Sequence, residues 1–179
     1  METIKLIQSY IKREYGEDFT ITDCEDRNNL FDINAHKHNM HIRIEYKRRD
    51  FITGENERYL DENDILIELV QKVPYFTNNK TPTNGNVNNL YNPDKINKSI
   101  GWFYKCNADR LFYIKFFNGN YHEFIDMDFI LFKGWFLNNI DNFELQYSNK
   151  TTGTINSKVP YSKIPKPIIR IFDKNGKMV

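Results

Sequence analysis

Residues 31–47, FDINAHKHNMHIRIEYK, decide how the rest of the chain is read. Phe31, Ile33 and Ala35 alternate with Asp32 and Asn34. Ile42, Ile44 and Tyr46 alternate with His41, Arg43, Glu45 and Lys47. Alternation with period two gives a strand one apolar and one polar face. A two-residue turn at His38-Asn39 folds the two runs into a hairpin whose opposed residue numbers sum to 77. Phe31 then meets Tyr46, Ile33 meets Ile44 and Ala35 meets Ile42, so the apolar faces coincide. On the polar face Asp32 falls opposite Glu45, and Lys47, two residues on, points the same way. Opposed side chains start roughly 4.5–5.5 Å apart at Cβ, and like charges there are destabilising. A divalent cation between the carboxylates removes that cost. Mg²⁺, with Mn²⁺ as a substitute, suits such a site because it takes one or two carboxylates plus water and substrate phosphate. Lys47 would then polarise an attacking water or stabilise charge developing on phosphate.

The pattern Asp-x12-Glu-x-Lys on a strand hairpin resembles the PD-(D/E)XK nuclease superfamily, the restriction-endonuclease-like and Holliday-junction-resolvase-like enzymes of phage or bacterial type. The proline that precedes the aspartate in that pattern is replaced by Phe31, a departure many members share. The resemblance implies an αβββαβ core, Mg²⁺ held by Asp32 and Glu45, Lys47 as the third catalytic residue, and hydrolysis of a DNA phosphodiester. In several branches a glutamate on the first helix completes the metal site. Glu14 matches that role by position; a solvated glutamate in a last helical turn is the alternative. Arg43, Arg48 and Arg49 beside the carboxylates would clamp substrate phosphates with their guanidinium forks, or be solvated strand residues. A second point of resemblance is Gly101-Trp102-Phe103 with Ala108-Asp109, ahead of the next strand. Together the two cover about residues 3–140.

The chain has 179 residues, 40% of them hydrophobic and 15% aromatic, which suits a globular domain with a sizeable core. Lys plus Arg is 25 against 24 for Asp plus Glu, so net charge gives no support to nucleic-acid binding. The distribution gives a little. From residue 149 on, seven cations stand against Asp173 alone, a net +6; the whole chain is +1, so the first 148 residues carry −5. A basic end on an acidic body is an electrostatic footprint for phosphate, or only a solvated terminus. Cys24 and Cys106 lie far apart and outside any metal-type spacing. With no signal peptide and no run long enough to span a bilayer, the expectation is a cytoplasmic protein, of a bacterium or a virus-infected cell, with free thiols.

In chain order, residues 3–15 carry a helical stripe, Ile4, Ile7, Tyr10 and Ile11, ended by Gly16. A short extended piece and a loop lead to the hairpin. His36, His38 and His41 at its tip lack the cysteine or carboxylate partners of a zinc finger, and read as turn residues or phosphate contacts. Residues 65–70, ILIELV, read as a central strand buried on both faces. Its Glu68 is either paired to Lys47 or Arg43 on a neighbouring strand, or an added carboxylate at the metal site. Residues 74–98 form an Asn-, Thr- and Pro-rich loop too long for an ordinary connection, a lid or a substrate-contacting arm. A short aromatic helix follows at 99–106. Strands at 110–117 and 121–126 are joined through Asn118-Gly119, a strong hairpin signal. Asp126 or Asp128 then caps a very apolar helix at 129–140, whose Phe129, Phe132, Trp135 and Phe136 read as core.

The expected architecture is thus α/β, a three-layer sandwich with a mixed central sheet and the αβββαβ restriction-endonuclease-like core. Residues 1–148 would form the nuclease-like domain and 149–179 a basic extended segment packed on it or trailing from it. The expected activity is Mg²⁺-dependent endonucleolytic cleavage of DNA. RNA is open as a substrate because the same chemistry serves both. No membrane partner is expected, and a homodimer is left open. The rival reading is a protein without catalysis that keeps the fold to bind nucleic acid or a host enzyme.

Overall fold

In the computed structural model, which describes residues 2–24, 31–56, 63–70, 101–147 and 154–179, the chain is mixed α/β and divides into two units. Unit 1 comprises Met1–Glu62, Asn107–Phe132 and Lys166–Val179; unit 2 comprises Asn63–Cys106 and Lys133–Pro165. The described elements, in chain order, are α1 (Glu2–Tyr15), β1 (Thr20–Asp23), β2 (Ile33–Lys37), β3 (Met40–Phe51), β4 (Asp64–Val70), α2 (Trp102–Lys105), β5 (Arg110–Phe117), β6 (Asn120–Asp128), α3 (Phe129–Asn139), β7 (Glu144–Tyr147), β8 (Ile155–Pro160) and β9 (Ile169–Phe172).

Unit 1 holds a six-stranded sheet in the order β1-β2-β3-β5-β6-β9. β3 and β5 run parallel; every other neighbouring pair is antiparallel. One face of this sheet is covered by α1. Ile7, Tyr10 and Ile11 of the helix pack with Ile33, Ala35, Ile44, Phe112, Ile114, Phe116, Phe124 and Phe172, one from each alternate position of the strands. The predicted stripe is therefore the buried one, and Gly16, at φ 123°, closes the helix by donating its N–H to Lys12 O at 3.1 Å.

The β2–β3 hairpin has the predicted register, with Ile33 opposite Ile44, Ala35 opposite Ile42 and Lys37 opposite Met40. Its turn is tight enough to force His38 to φ 51°. The β5–β6 hairpin turns where Asn-Gly predicts, with Asn118 at φ 47° and Gly119 at φ 79°. Positive φ at both central residues matches the right-handed twist of paired strands. Asp128, not Asp126, caps α3, accepting the Leu131 N–H at 3.0 Å.

The strand at 65–70 departs from expectation. β4 is not in the large sheet at all. It forms the edge of a three-stranded antiparallel sheet in unit 2, order β4-β8-β7. Ile65, Ile67 and Leu69 are buried, whereas Leu66 and Glu68 are half-exposed. A strand packed on one face needs apolar residues only at alternate positions, and Leu66 disguised that alternation. Beyond it, Gly101 N donates to Leu69 O at 2.8 Å, and α2 sends Phe103 against Phe136, ring centroids 5.0 Å apart.

The basic segment after 149 does not merely trail. β8 is the middle strand of the small sheet and β9 an edge of the large one. Cys24 and Cys106 are free thiols. Among the described residues no helix is long and apolar enough to cross a membrane. The Asn-rich 74–98 loop lies outside the described residues.

Candidate active site

Asp32 stands one residue ahead of β2. Its N–H donates to Ile44 O at 2.9 Å, and its own carbonyl accepts from Cys24 N at 2.8 Å. The carboxylate reaches across to β3, where Oδ2 accepts the Tyr46 N–H at 2.9 Å. Asp32 is thus fixed by backbone on both sides, which leaves its carboxylate little freedom.

Glu45 alternates with Ile44, so it points away from the face that α1 covers. It is only 6% exposed. Lys47 Nζ donates to Glu45 Oε1 on the same face. Burial raises the Glu45 carboxyl above the ordinary glutamate range. Lys47 opposes that shift, while the negative charge of Asp32 reinforces it. Asp32, Glu45 and Lys47 therefore converge, as the hairpin register predicts. What the sequence did not suggest is how deeply Glu45 is buried.

Of the three arginines expected beside the carboxylates, only Arg49 shares their face without being tied to a carboxylate among the described residues. Its Nη1 donates to Tyr113 OH at 3.2 Å. Arg43 is locked instead in a two-pronged pair with Asp109, Nη2–Oδ1 2.6 Å and Nε–Oδ2 3.1 Å, and Asp109 Oδ2 also accepts the Arg43 N–H at 2.8 Å. Arg48, one residue out of phase, lies on the α1 side. It bonds Asp50 and Thr3 Oγ1, the latter at 2.9 Å, and lies 4.0 Å over the Phe116 ring. The expectation that Arg48 flanks the carboxylates fails on strand alternation.

Glu14 is also displaced from its expected place. It belongs to α1, which covers the opposite sheet face, and it pairs with Arg170 at 3.0 Å and Arg13 at 2.9 Å. A first-helix glutamate could not be placed from spacing alone, because which sheet face receives the helix is a tertiary fact. Glu68, on β4 in unit 2, accepts the Trp102 N–H at 3.3 Å; β4 is not a neighbour of β3, so the strand pairing expected to supply Lys47 or Arg43 does not exist. His36 and His41 are a cross-strand pair with stacked rings 5.9 Å apart. Among the described residues no group of three or more His, Cys, Asp or Glu is arranged to hold a metal ion.

Two features escaped the sequence reading. Lys115, 2% exposed, sits next to Arg49 across the parallel β3–β5 ladder and pairs with Glu123 at 3.1 Å. It extends the line of cations on the Glu45 face. Asp126, fully buried, binds Tyr10 OH at 2.6 Å, Arg110 Nε at 2.8 Å and Arg170 Nε at 3.1 Å. Burial, and then Asp126, push the Tyr10 hydroxyl far above its ordinary range, and Asp126 raises Arg170 against the effect of burial. This network ties α1, β5, β6 and β9 together. Neither feature has a local signal, since each depends on which strands become neighbours. No family model, no curated protein and no solved structure matches the chain.

Proposed function

We propose that the chain is a divalent-metal-dependent nuclease of the restriction-endonuclease-like kind, with Asp32, Glu45 and Lys47 as its centre. The observation that carries this is the pairing of Lys47 with the buried Glu45, beside an Asp32 carboxylate that Tyr46 N holds on the facing end of the same hairpin. A buried glutamate next to an aspartate is costly in isolation, and a bound cation would relieve both the desolvation and the repulsion. The donor set fits Mg²⁺, which needs few protein ligands and only oxygen. Topology lends support as well. α1, β1, β2, β3 and then β5, parallel to β3, follow the αβββαβ order once β1 rather than β4 supplies a strand of the core. The helix of that order would have to come from the long β3–β5 connection, where α2 lies.

Asp32 and Glu45 would hold the ion, which when bound would neutralise phosphate charge and acidify a water. The hydrogen bond from Tyr46 N keeps Asp32 aimed at that place. Lys47, held by Glu45, is positioned to orient the attacking water or to stabilise negative charge on the phosphoryl oxygens. Arg49, braced on Tyr113, provides a phosphate contact on the same face. DNA is the substrate proposed. The test is a cleavage panel of labelled duplex, branched and single-stranded DNA and RNA with Mg²⁺, Mn²⁺ or EDTA. Metal-dependent product supports the reading. Binding without product in any metal assigns the chain to the non-catalytic rival.

A further inference from the structure

Trp135 was expected in the core, yet it is half-exposed while its helix neighbours Phe132 and Phe136 are fully buried. The reason is an open cavity of about 530 Å³ in unit 2, of which Trp135 is one wall. That volume lies within the range of small-ligand sites. The indole is braced by Phe143, ring centroids 5.6 Å apart, and Phe143 stacks on Phe136 at 5.7 Å with planes 14° apart. Pro160 forms another apolar wall. The indole is thus a rigid flat surface, the kind on which an aromatic ring stacks.

The polar groups around it are sorted. Asn139 is spent internally, its Nδ2 donating to Trp135 O at 2.8 Å and its Oδ1 accepting from Asn142 Nδ2 at 3.4 Å. That leaves Asn142 Oδ1 and the Glu144 carboxylate, both acceptors, and the ammonium of Lys163, which has no ion-pair partner among the described residues. Lys158 lies opposite Glu144 on the sheet and is held by Asp64 at 3.1 Å. A flat ring carrying an amino donor, with an anionic group attached, satisfies every one of these.

We propose that this cavity binds a nucleotide whose base bears an exocyclic amino group, with the ring on Trp135, the amino group at Glu144 or Asn142, and the phosphate at Lys163. Carboxylates accept from a base amino group in the same way when side chains read base edges. The ligand is either a free mononucleotide or an unpaired residue of a single strand. The site stands on unit 2 alone and does not depend on the role given to Asp32 and Glu45.

Trp135 is its own reporter once the other tryptophan is removed by Trp102→Phe. In that background, fluorescence is titrated with deoxyadenosine and thymidine monophosphates and with oligo-dA and oligo-dT, in EDTA so that no strand is cut. Saturable quenching by the adenine ligands is expected, at least about tenfold tighter than by the thymine ones. Quenching by the mononucleotide at an affinity near that of the oligomer identifies a free nucleotide as ligand; quenching by the oligomer alone identifies a strand. Lys163→Glu should weaken binding and lower the salt dependence by about one phosphate contact. Trp135→Leu, followed by oligomer anisotropy, should weaken it about tenfold or more. Glu45→Gln should leave it unchanged, even if cleavage is lost or never found. No quenching by any of the four ligands, or binding indifferent to both Trp135→Leu and Lys163→Glu, overturns the site.

Discussion

Asp109 shows how far a single residue's meaning depends on its neighbours. In the sequence it is one half of an Ala-Asp step. In the fold it takes the Arg43 guanidinium and backbone N–H on one carboxylate. Burial by itself would raise that carboxyl, but the Arg43 hydrogen bonds and charge outweigh it and hold it below the ordinary aspartate range. A depressed carboxyl adds stability above its unfolded pKa and loses it as pH falls through the folded one. Asp109→Asn should therefore cost about 1–2 kcal/mol at neutral pH, allowing for partial exposure. The deficit should close as pH falls below about 4. Urea unfolding of both proteins across pH checks this; a deficit constant with pH would mean that shape, not charge, is what Arg43 requires. The same scale holds the catalytic expectation. Lys47→Ala should lose about 10²-fold or more in single-turnover rate while Mg²⁺ affinity, read by calorimetry, stays nearly unchanged. Asp32, Glu45 and Lys47 were legible because two-residue alternation and a short turn fix a hairpin without outside help. Glu14 was not, because its placement depends on which face α1 covers, whereas the same alternation already puts Arg48 on the other face from Glu45 and Lys47.

At the scale of elements, local chemistry was readable and partnership was not. α1, α3 and both tight hairpins fell where periodicity, Asn-Gly and a capping aspartate put them. β4 was read as a central strand because its sequence is nearly all apolar, but nothing in six residues says which sheet they join. Its place explains Gly101. A Cβ there would lie 2.3 Å from Glu68 O and 2.6 Å from Leu69 C, both backbone atoms that cannot swing aside. Gly101→Ala should destabilise by about 1–3 kcal/mol or more, the usual range for overpacking. Gly134, with open space where its Cβ would be, is the control: Gly134→Ala, mid-helix in α3, should stabilise by about 0.5–1 kcal/mol. Thermal melting of the pair decides it; equal effects would mean that α2 does not press on β4.

For the whole molecule, chain order and spatial order part company. The C-terminal 31 residues read from the sequence as a basic extended segment, packed on the domain or trailing from it. They supply the middle strand of one sheet and an edge of the other, with Ile155, Val159, Ile164, Ile168 and Phe172 buried, so the packed alternative holds. Truncation after residue 148 should abolish cooperative unfolding, seen as loss of a sigmoidal melt and of near-ultraviolet dichroism. A truncated protein that melted like the intact one would overturn the strand assignments. Composition alone does not separate the two because a strand needs an apolar residue only at every second place, and of the seven cations here only Lys158 and Arg170 lie in β8 and β9. The claim that the hairpin is a hydrolytic centre is exposed most plainly by the single-turnover rate of Glu45→Gln against wild type, with Mg²⁺, on a labelled nucleic acid that the wild type cuts. The glutamine keeps shape and removes charge, and near-ultraviolet dichroism verifies that it folds. A loss of at least about 10²-fold is expected. Cleavage at the wild-type rate, or no cleavage by wild-type protein of any DNA or RNA form, would contradict it.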